Sequence, residues 1–318
     1  MISERKAVIF GIKGLKLTKD EKNLIRKKNQ PWGIILFSRN IKNISQLKKL
    51  VCSIKETASD NNYPILIDQE GGLISRINKI MDFSLFSQSS FGDLYKKDKT
   101  KFFYHYKIYI ETISNLLKEV GININTVPVL DVSRKKTHKI IGSRSYSNNC
   151  KIVKKIGLEC IKHFSNNKIG TVIKHIPGHG LATVDSHKTL PIVKNKKEEL
   201  IKKDFVSFKN IRSHFAMTAH VMYKAYDNKF AATHSKTIIN KVIRKHIAFK
   251  GLLISDDISM KALPYDLIKN STLALKAGCN LILHCNGKIS EMIKLAKIIP
   301  RIDNFTSKKT SQFYNFLR

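Results

Sequence analysis

Eight short runs of apolar and β-branched residues recur along the chain: AVIFGIKG (7–14), GIILFSR (33–39), PILIDQE (64–70), NTVPVLDV (125–132), TVIKHIPG (171–178), FAMTAHV (215–221), LLISDDIS (252–259) and LILHCN (281–286). Most are apolar almost without interruption, as parallel strands covered on both faces require. Between them lie stretches of helical spacing with their own punctuation. Thr18 and Glu21 predict a capping box. Ser147 and Ser235 are candidate N-caps, and Gly121, Gly251 and Gly278 candidate C-terminal stops. The segment FFYHYKIYIETISNLLKEVG (102–121) carries apolar residues at helical spacing. Alternation of strand and helix from end to end predicts a parallel sheet. Eight such units predict that the sheet closes, an α/β fold of the (β/α)8 TIM-barrel type. No Gly/Ser/Pro-rich linker divides the chain, so residues 1–318 are read as a single domain.

Polar and charged residues gather where the predicted strands end: Asp68, Asp131, Lys174, His175, His220 and Asp256. One polar strand end is usually a turn or a helix cap. Several around one rim point to an active site, because barrels of this kind build theirs at the C-terminal ends of the strands.

Composition changes the picture little. A chain of 318 residues holds one large barrel or two ordinary domains, and 42% hydrophobic residues suffice for a sizeable core. The formal charge of +34 invites a nucleic-acid reading. The excess is nearly all lysine, spread evenly among many Asn and Ile, whereas a nucleic-acid reader concentrates arginine and interleaves aromatic rings. A solvated lysine-coated surface is the favoured account, with no nucleic-acid partner. The five cysteines, Cys52, Cys150, Cys160, Cys279 and Cys285, are scattered and form no C-x-x-C pair, so neither a zinc knuckle nor a disulfide framework is indicated. The apolar run near the N-terminus is short for a signal-peptide core, and no stretch approaches the about 18 apolar residues of a membrane span. A reduced, cytoplasmic, soluble protein with no membrane partner is expected.

The segment KHIPGHGLATVDSHKTLP (174–191) is the most informative. It opens at a strand end and continues as a long irregular stretch with three histidines and an aspartate. Gly178 and Gly180 suit a loop that covers a site. Asp185 and His187 stand two apart, close enough for the carboxylate to hold the ring and raise its basicity, which suits a proton donor near neutral pH. A structural histidine in a polar loop is the plainer alternative. A metal reading also stays open, although His175, His179 and His187 match neither H-x-x-x-H nor H-E-x-x-H. Asp256 and Asp257 end the seventh strand. Adjacent strand residues point to opposite sides, so one of the two is expected at the barrel mouth, as a nucleophile or as a helix cap. In IDQEGGLISRI (67–77), Asp68 is placed to accept hydrogen bonds from vicinal hydroxyls and Arg76 to donate in a fork; a salt bridge between the two is the alternative. GSRSYS (142–147) puts Arg144 in the loop after the fourth strand.

Taken together these segments resemble the bacterial β-N-acetylglucosaminidases of glycoside hydrolase family 3, the single-domain NagZ group. The likeness runs in order from about residue 7 to 286, through LIDQEGGLISRI, VPVLDVSR, IGSRSYS, KHIPGHGLATVDSH, MTAHVMY, GLLISDDISMKAL and AGCNLILHCN. The resemblance implies a retaining enzyme that removes terminal N-acetylglucosamine from 1,6-anhydromuropeptides during cell-wall recycling in the cytoplasm. It implies Asp256 as nucleophile and His187 as acid/base, partnered by Asp185. It implies Asp68, Arg76, Arg144, Lys174 and His175 as ligands of the sugar, no metal or organic cofactor, and a monomer acting on a small carbohydrate. The chain departs from the family pattern at Leu73, where arginine is usual, and at Leu181, often aspartate. Neither position carries an implied role. A phosphorylase, a metal-dependent amidohydrolase and a non-catalytic binding module are the rival readings.

Overall fold

The structure, a computed structural model, describes residues 2–26, 29–134, 142–182, 184, 186 and 189–318. Eight strands form the closed barrel that the pattern predicts: β1 (Lys6–Gly11), β2 (Pro31–Leu36), β3 (Ile65–Ile67), β4 (Ile124–Asn125), β5 (Gly170–Ile176), β6 (Phe215–Thr218), β7 (Leu252–Asp257) and β8 (Leu281–His284). Each pairs in parallel with the next, and β8 returns to β1 through Val8↔Ile282, Ile9↔Leu283 and Phe10↔His284. Every residue of β2 is buried, which is why that run is apolar on both faces; β5 is buried throughout as well, including Lys174 and His175.

Several strands are shorter than their apolar runs. In the fourth, the pairing stops at Asn125, and Val129 makes an isolated bridge to Lys174. Pro128 intervenes with no N–H to offer a neighbouring strand. A parallel two-stranded ribbon, Ile192–Val193 with Met222–Tyr223, lies outside the barrel and was not anticipated, being too short to leave a pattern.

The helices are α1 (Lys19–Ile25), α2 (Ile44–Ala58), α3 (Gln88–Lys97), α4 (Lys99–Val120), α5 (Cys150–Asn166), α6 (Lys197–Lys203), a π-type helix (Ile238–His246), α7 (Leu267–Ala277), α8 (Ile289–Ile298) and α9 (Asn304–Leu317). Among the described residues no helix is long and apolar enough to cross a membrane. The Thr18–Glu21 capping box is present, and the Ser235 hydroxyl accepts from Ile238 N–H at 3.1 Å. Gly121 and Gly278 end α4 and α7 at φ +83° and +117°, where a side chain would be strained. Two expectations fail. Ser147 is not the cap of α5; Asn149 is, its side chain accepting from Lys151 N–H, while Ser147 holds the turn before it. Gly251 does not stop a helix. A Cβ there would come within 2.5 Å of the His214 carbonyl and 2.6 Å of the Ser213 carbonyl, so it is glycine for room at the edge of β6.

The last helix decides which end of the barrel is open. Phe313 of α9 packs edge-on against Phe215 at the start of β6, with ring centroids 5.0 Å apart, and Phe215 against Trp32 of β2 at 5.5 Å. The Trp32 indole N–H donates to Thr310 Oγ1 at 2.8 Å. A Cβ on Gly170, the first residue of β5, would lie 2.7 Å from the Phe313 ring. Aromatic rings thus seal the N-terminal end of the barrel, and chemistry is left to the C-terminal rim.

Candidate active site

The strands deliver their polar residues to one pocket of about 160 Å³ at that rim. Its walls include Asp68, Arg76, Thr126, Arg144, Lys174, His175, Asp256 and Asp257, with Phe37, Met217, Met260, Leu283 and Cys285 supplying apolar surface. The structure therefore brings together Asp68, Arg76, Arg144, Lys174, His175 and Asp256. Asp185 and His187 lie outside the described residues; Ser186, between them in sequence, lines the pocket.

Asp68 follows β3, and its carboxylate is fully engaged. Oδ2 accepts from Arg76 Nη2 at 2.9 Å, and Oδ1 accepts from Thr126 Oγ1 at 2.7 Å and from the Lys174 ammonium. The salt bridge weighed as an alternative for Asp68 and Arg76 is thus present. Burial alone would raise the Asp68 pKa, but Lys174, Arg76 and Arg144 outweigh it and hold the carboxyl far below the usual carboxylate range.

Glu70 escaped the sequence reading as a functional residue. Two positions after Asp68, it takes Arg144 in a fork, Nε to Oε2 and Nη2 to Oε1 both at 2.8 Å, and lies 2.7 Å from Lys174 Nζ. Its side chain is inaccessible to solvent. Burial opposes its charge, and Arg144 with Lys174 overcomes that and lowers its pKa. A signal was available in the i, i+2 spacing of Asp68 and Glu70, which places two residues on one side of an extended chain. Two carboxylates among three cations leave the cationic groups in excess, and their N–H directions are set before any ligand arrives.

Asp131, identified at the rim but given no role, orients the histidines. Its Oδ2 is 2.7 Å from His175 Nδ1, and Oδ1 accepts from His179 N–H at 2.7 Å. A carboxylate of lowered pKa accepts only, so His175 Nδ1 carries the hydrogen and Nε2 is left for another partner. Burial pushes the His179 pKa down to about 4, so that ring is neutral near pH 7. The two loop glycines have structural reasons of their own. Gly178 has φ +143°, and a Cβ on Gly180 would meet the Val132 carbonyl at 1.9 Å.

The two aspartates that end β7 both reach the pocket, contrary to the expectation that one would turn away. The β7–β8 register shifts between Leu281 and Leu283, so strict alternation is lost at the strand end. Their bonding separates them. Asp257 Oδ1 and Oδ2 take the Ser259 hydroxyl at 2.9 Å each, and Oδ1 also takes Ser259 N–H and Cys285 N–H. Asp256, among the described residues, accepts the Asp257 N–H at 2.8 Å and pairs with no cation. Burial would raise its pKa, but the fields of His220 and His175 hold it below the ordinary value, so it is ionised at neutral pH.

A sealed parallel barrel with a charged cup at its C-terminal rim, where Asp256 pairs with no cation among the described residues, defines a (β/α)8 barrel with its site at the strand ends. Within that class the chain belongs to glycosyl hydrolase family 3: residues 3–310 match the model of the Glycosyl hydrolase family 3 N terminal domain. It is similar to Beta-hexosaminidase A of Pseudoalteromonas piscicida, 32% identical over 247 residues, an alignment that takes in 72% of this chain and 41% of that protein. The Beta-hexosaminidase of Psychromonas ingrahamii is 30% identical over 314 residues, covering 96% of this chain and 88% of that one. Among solved structures, NagZ from Neisseria gonorrhoeae in complex with N-trifluoroacetyl-D-glucosamine superposes with a TM-score of 0.86 at 27% identity, over 99% of this chain and 90% of that one.

Proposed function

We propose that the chain is a retaining exo-β-N-acetylglucosaminidase that removes non-reducing terminal N-acetylglucosamine from peptidoglycan fragments, 1,6-anhydromuropeptides among them, in cytoplasmic cell-wall recycling. The observation that carries this reading is the division of labour among the rim carboxylates. Asp68, Glu70 and Asp131 are each engaged by cations or histidine and Asp257 by a turn, whereas Asp256, among the described residues, takes only the N–H of its neighbour. Similarity to a protein whose crystal structure holds an N-acylated glucosamine supports the sugar.

In this mechanism Asp68, Arg76, Arg144, Lys174 and His175 bind the hydroxyls of the terminal sugar. The Asp256 carboxylate attacks the anomeric carbon as the glycosidic bond breaks, and His187, steadied by Asp185, protonates the departing oxygen. The now neutral His187 then takes a proton from water, which displaces Asp256 and regenerates it. Ser186, which stands between Asp185 and His187 in sequence, lines the pocket, and that supports the reading. An imidazole donor also adds no further carboxylate beside an anionic nucleophile.

Turnover of a chromogenic N-acetylglucosaminide, with and without phosphate, tests the reading. Release of free N-acetylglucosamine, unaffected by phosphate or chelator, is expected, and a 1,6-anhydromuropeptide should lose one N-acetylglucosamine by mass spectrometry. Sugar 1-phosphate as the product would replace hydrolysis by phosphorolysis. No turnover of either substrate would overturn the function.

Asp68→Ala and Arg76→Ala are both expected to weaken binding of N-acetylglucosamine. Each removes a charge-assisted hydrogen bond worth about 1.5–3 kcal/mol, roughly a 10- to 150-fold loss of affinity. Unchanged affinity in both variants, measured by calorimetry, would mean that the sugar sits elsewhere.

A further inference from the structure

Register between β6 and β7 runs no further than Met217↔Ile254, and β6 ends at Thr218. The last carbonyls of β7 therefore extend past a neighbour that has left the sheet. The Asp257 carbonyl is met instead by a side chain, His220 Nε2 at 3.0 Å. A carbonyl only accepts, so Nε2 carries the hydrogen. Nδ1, 2.7 Å from Thr233 Oγ1, then accepts from that hydroxyl, and Thr233 Oγ1 is in turn 2.8 Å from Thr218 Oγ1. His220, Thr218 and Thr233 are all fully buried, so water does not compete for these bonds. On the opposite edge, Ile258 N–H donates to the Leu283 carbonyl at 2.9 Å and Cys285 N–H to Asp257 Oδ1 at 3.3 Å. The backbone that carries Asp256 is gripped from both sides, by β8 on one and by a histidine on the other.

We propose that His220 is a positioning residue for Asp256. Its Nε2–H bond to the Asp257 carbonyl replaces the missing strand partner and fixes the direction in which the preceding carboxylate leaves the chain. Thr233 and Thr218 hold the ring in the tautomer that can donate. This inference rests on Asp256 as the nucleophile and goes beyond it, since His220 does not line the pocket. A nucleophile held off line by a fraction of an ångström to an ångström loses rate while the sugar contacts persist.

The test compares His220→Phe, which keeps a ring but donates nothing, with His220→Gln, whose amide N–H can take the place of Nε2–H, and with Thr233→Val. With a nitrophenyl N-acetylglucosaminide, His220→Phe is expected to lower kcat about 100-fold, with KM and the affinity for free N-acetylglucosamine unchanged. His220→Gln should recover most of the rate, and Thr233→Val should show a smaller loss of the same kind. Wild-type kcat in His220→Phe would overturn the inference. So would a parallel loss of sugar affinity, or a His220→Gln variant as slow as His220→Phe, because either means general packing. Should His220→Phe not fold, Thr233→Val decides, and a wild-type kcat there overturns the inference. Failure of the wild-type protein itself to turn over the substrate would instead count against the proposed function.

Discussion

Asp256→Ala is expected to abolish turnover and leave the fold intact, the largest effect of any single change in this protein. The loss should be on the order of 10⁴- to 10⁶-fold in kcat, the range seen when a group essential to a covalent mechanism is deleted. The other rim carboxylates are poorly placed to substitute. Asp68 and Glu70 are locked among Lys174, Arg76 and Arg144, and Asp131 is bonded to His175 and His179. Asp257 is spent on Ser259 and Cys285. Stability should change little, because the Asp256 carboxylate takes one hydrogen bond from its own neighbour and pairs with no cation among the described residues. Asp257→Ala should behave differently, lowering the melting temperature as the turn after β7 loses its cap. Thermal melts and steady-state turnover of both variants check this. Wild-type-like turnover by Asp256→Ala would sink the assignment, and a fully folded Asp257→Ala with no turnover would transfer the nucleophile's role to Asp257.

His187→Ala is the second large effect, and its size should depend on the leaving group. A nitrophenolate departs readily without a proton, so with that substrate glycosylation of Asp256 should slow only mildly. Water still needs a base to attack the glycosyl-enzyme, so the intermediate should accumulate and appear as a burst. A natural disaccharide leaves as a poor alkoxide and should lose roughly 100- to 10,000-fold in rate. Azide needs no base and should restore turnover of the nitrophenyl substrate. Asp185→Ala should give a weaker version, since His187 would remain without its orienting partner. Equal losses on both substrates, with neither burst nor azide rescue, would show that His187 merely shapes its loop, and the proton donor would have to be another rim residue.

The barrel was legible because a strand buried on both faces must be apolar along its length, and that demand is written within each segment. β2, buried at every position, is the clearest case. Caps are nearly as local: Thr18 with Glu21, Gly121 and Gly278 each need only their own helix. Ser147 failed because Asn149, two residues on, is the better-placed acceptor. Gly251 failed because its reason is the backbone of another strand. In the site, Asp68, Arg144, Lys174 and His175 were recognisable as polar residues at strand ends or in a motif. Their pairing was not, since Lys174 reaches across 106 positions to Asp68 and Arg144 across 74 to Glu70.

By itself, then, the sequence determined the order of strands and helices, the rim on which chemistry gathers and the family to which the motifs belong. Each of these depends on spacing within a segment or on residue types in order. Only the tertiary structure decided that α9 plugs the lower end of the barrel with Phe313, that Glu70 sets the directions of Arg144 and Lys174, that both Asp256 and Asp257 reach the pocket, and that His220 takes up the carbonyl β6 leaves unpaired. The physical reason is common to all four. A buried charge, carbonyl or ring is stable only when its partners are met through space, and those partners lie on elements that the chain brings together only when the barrel closes.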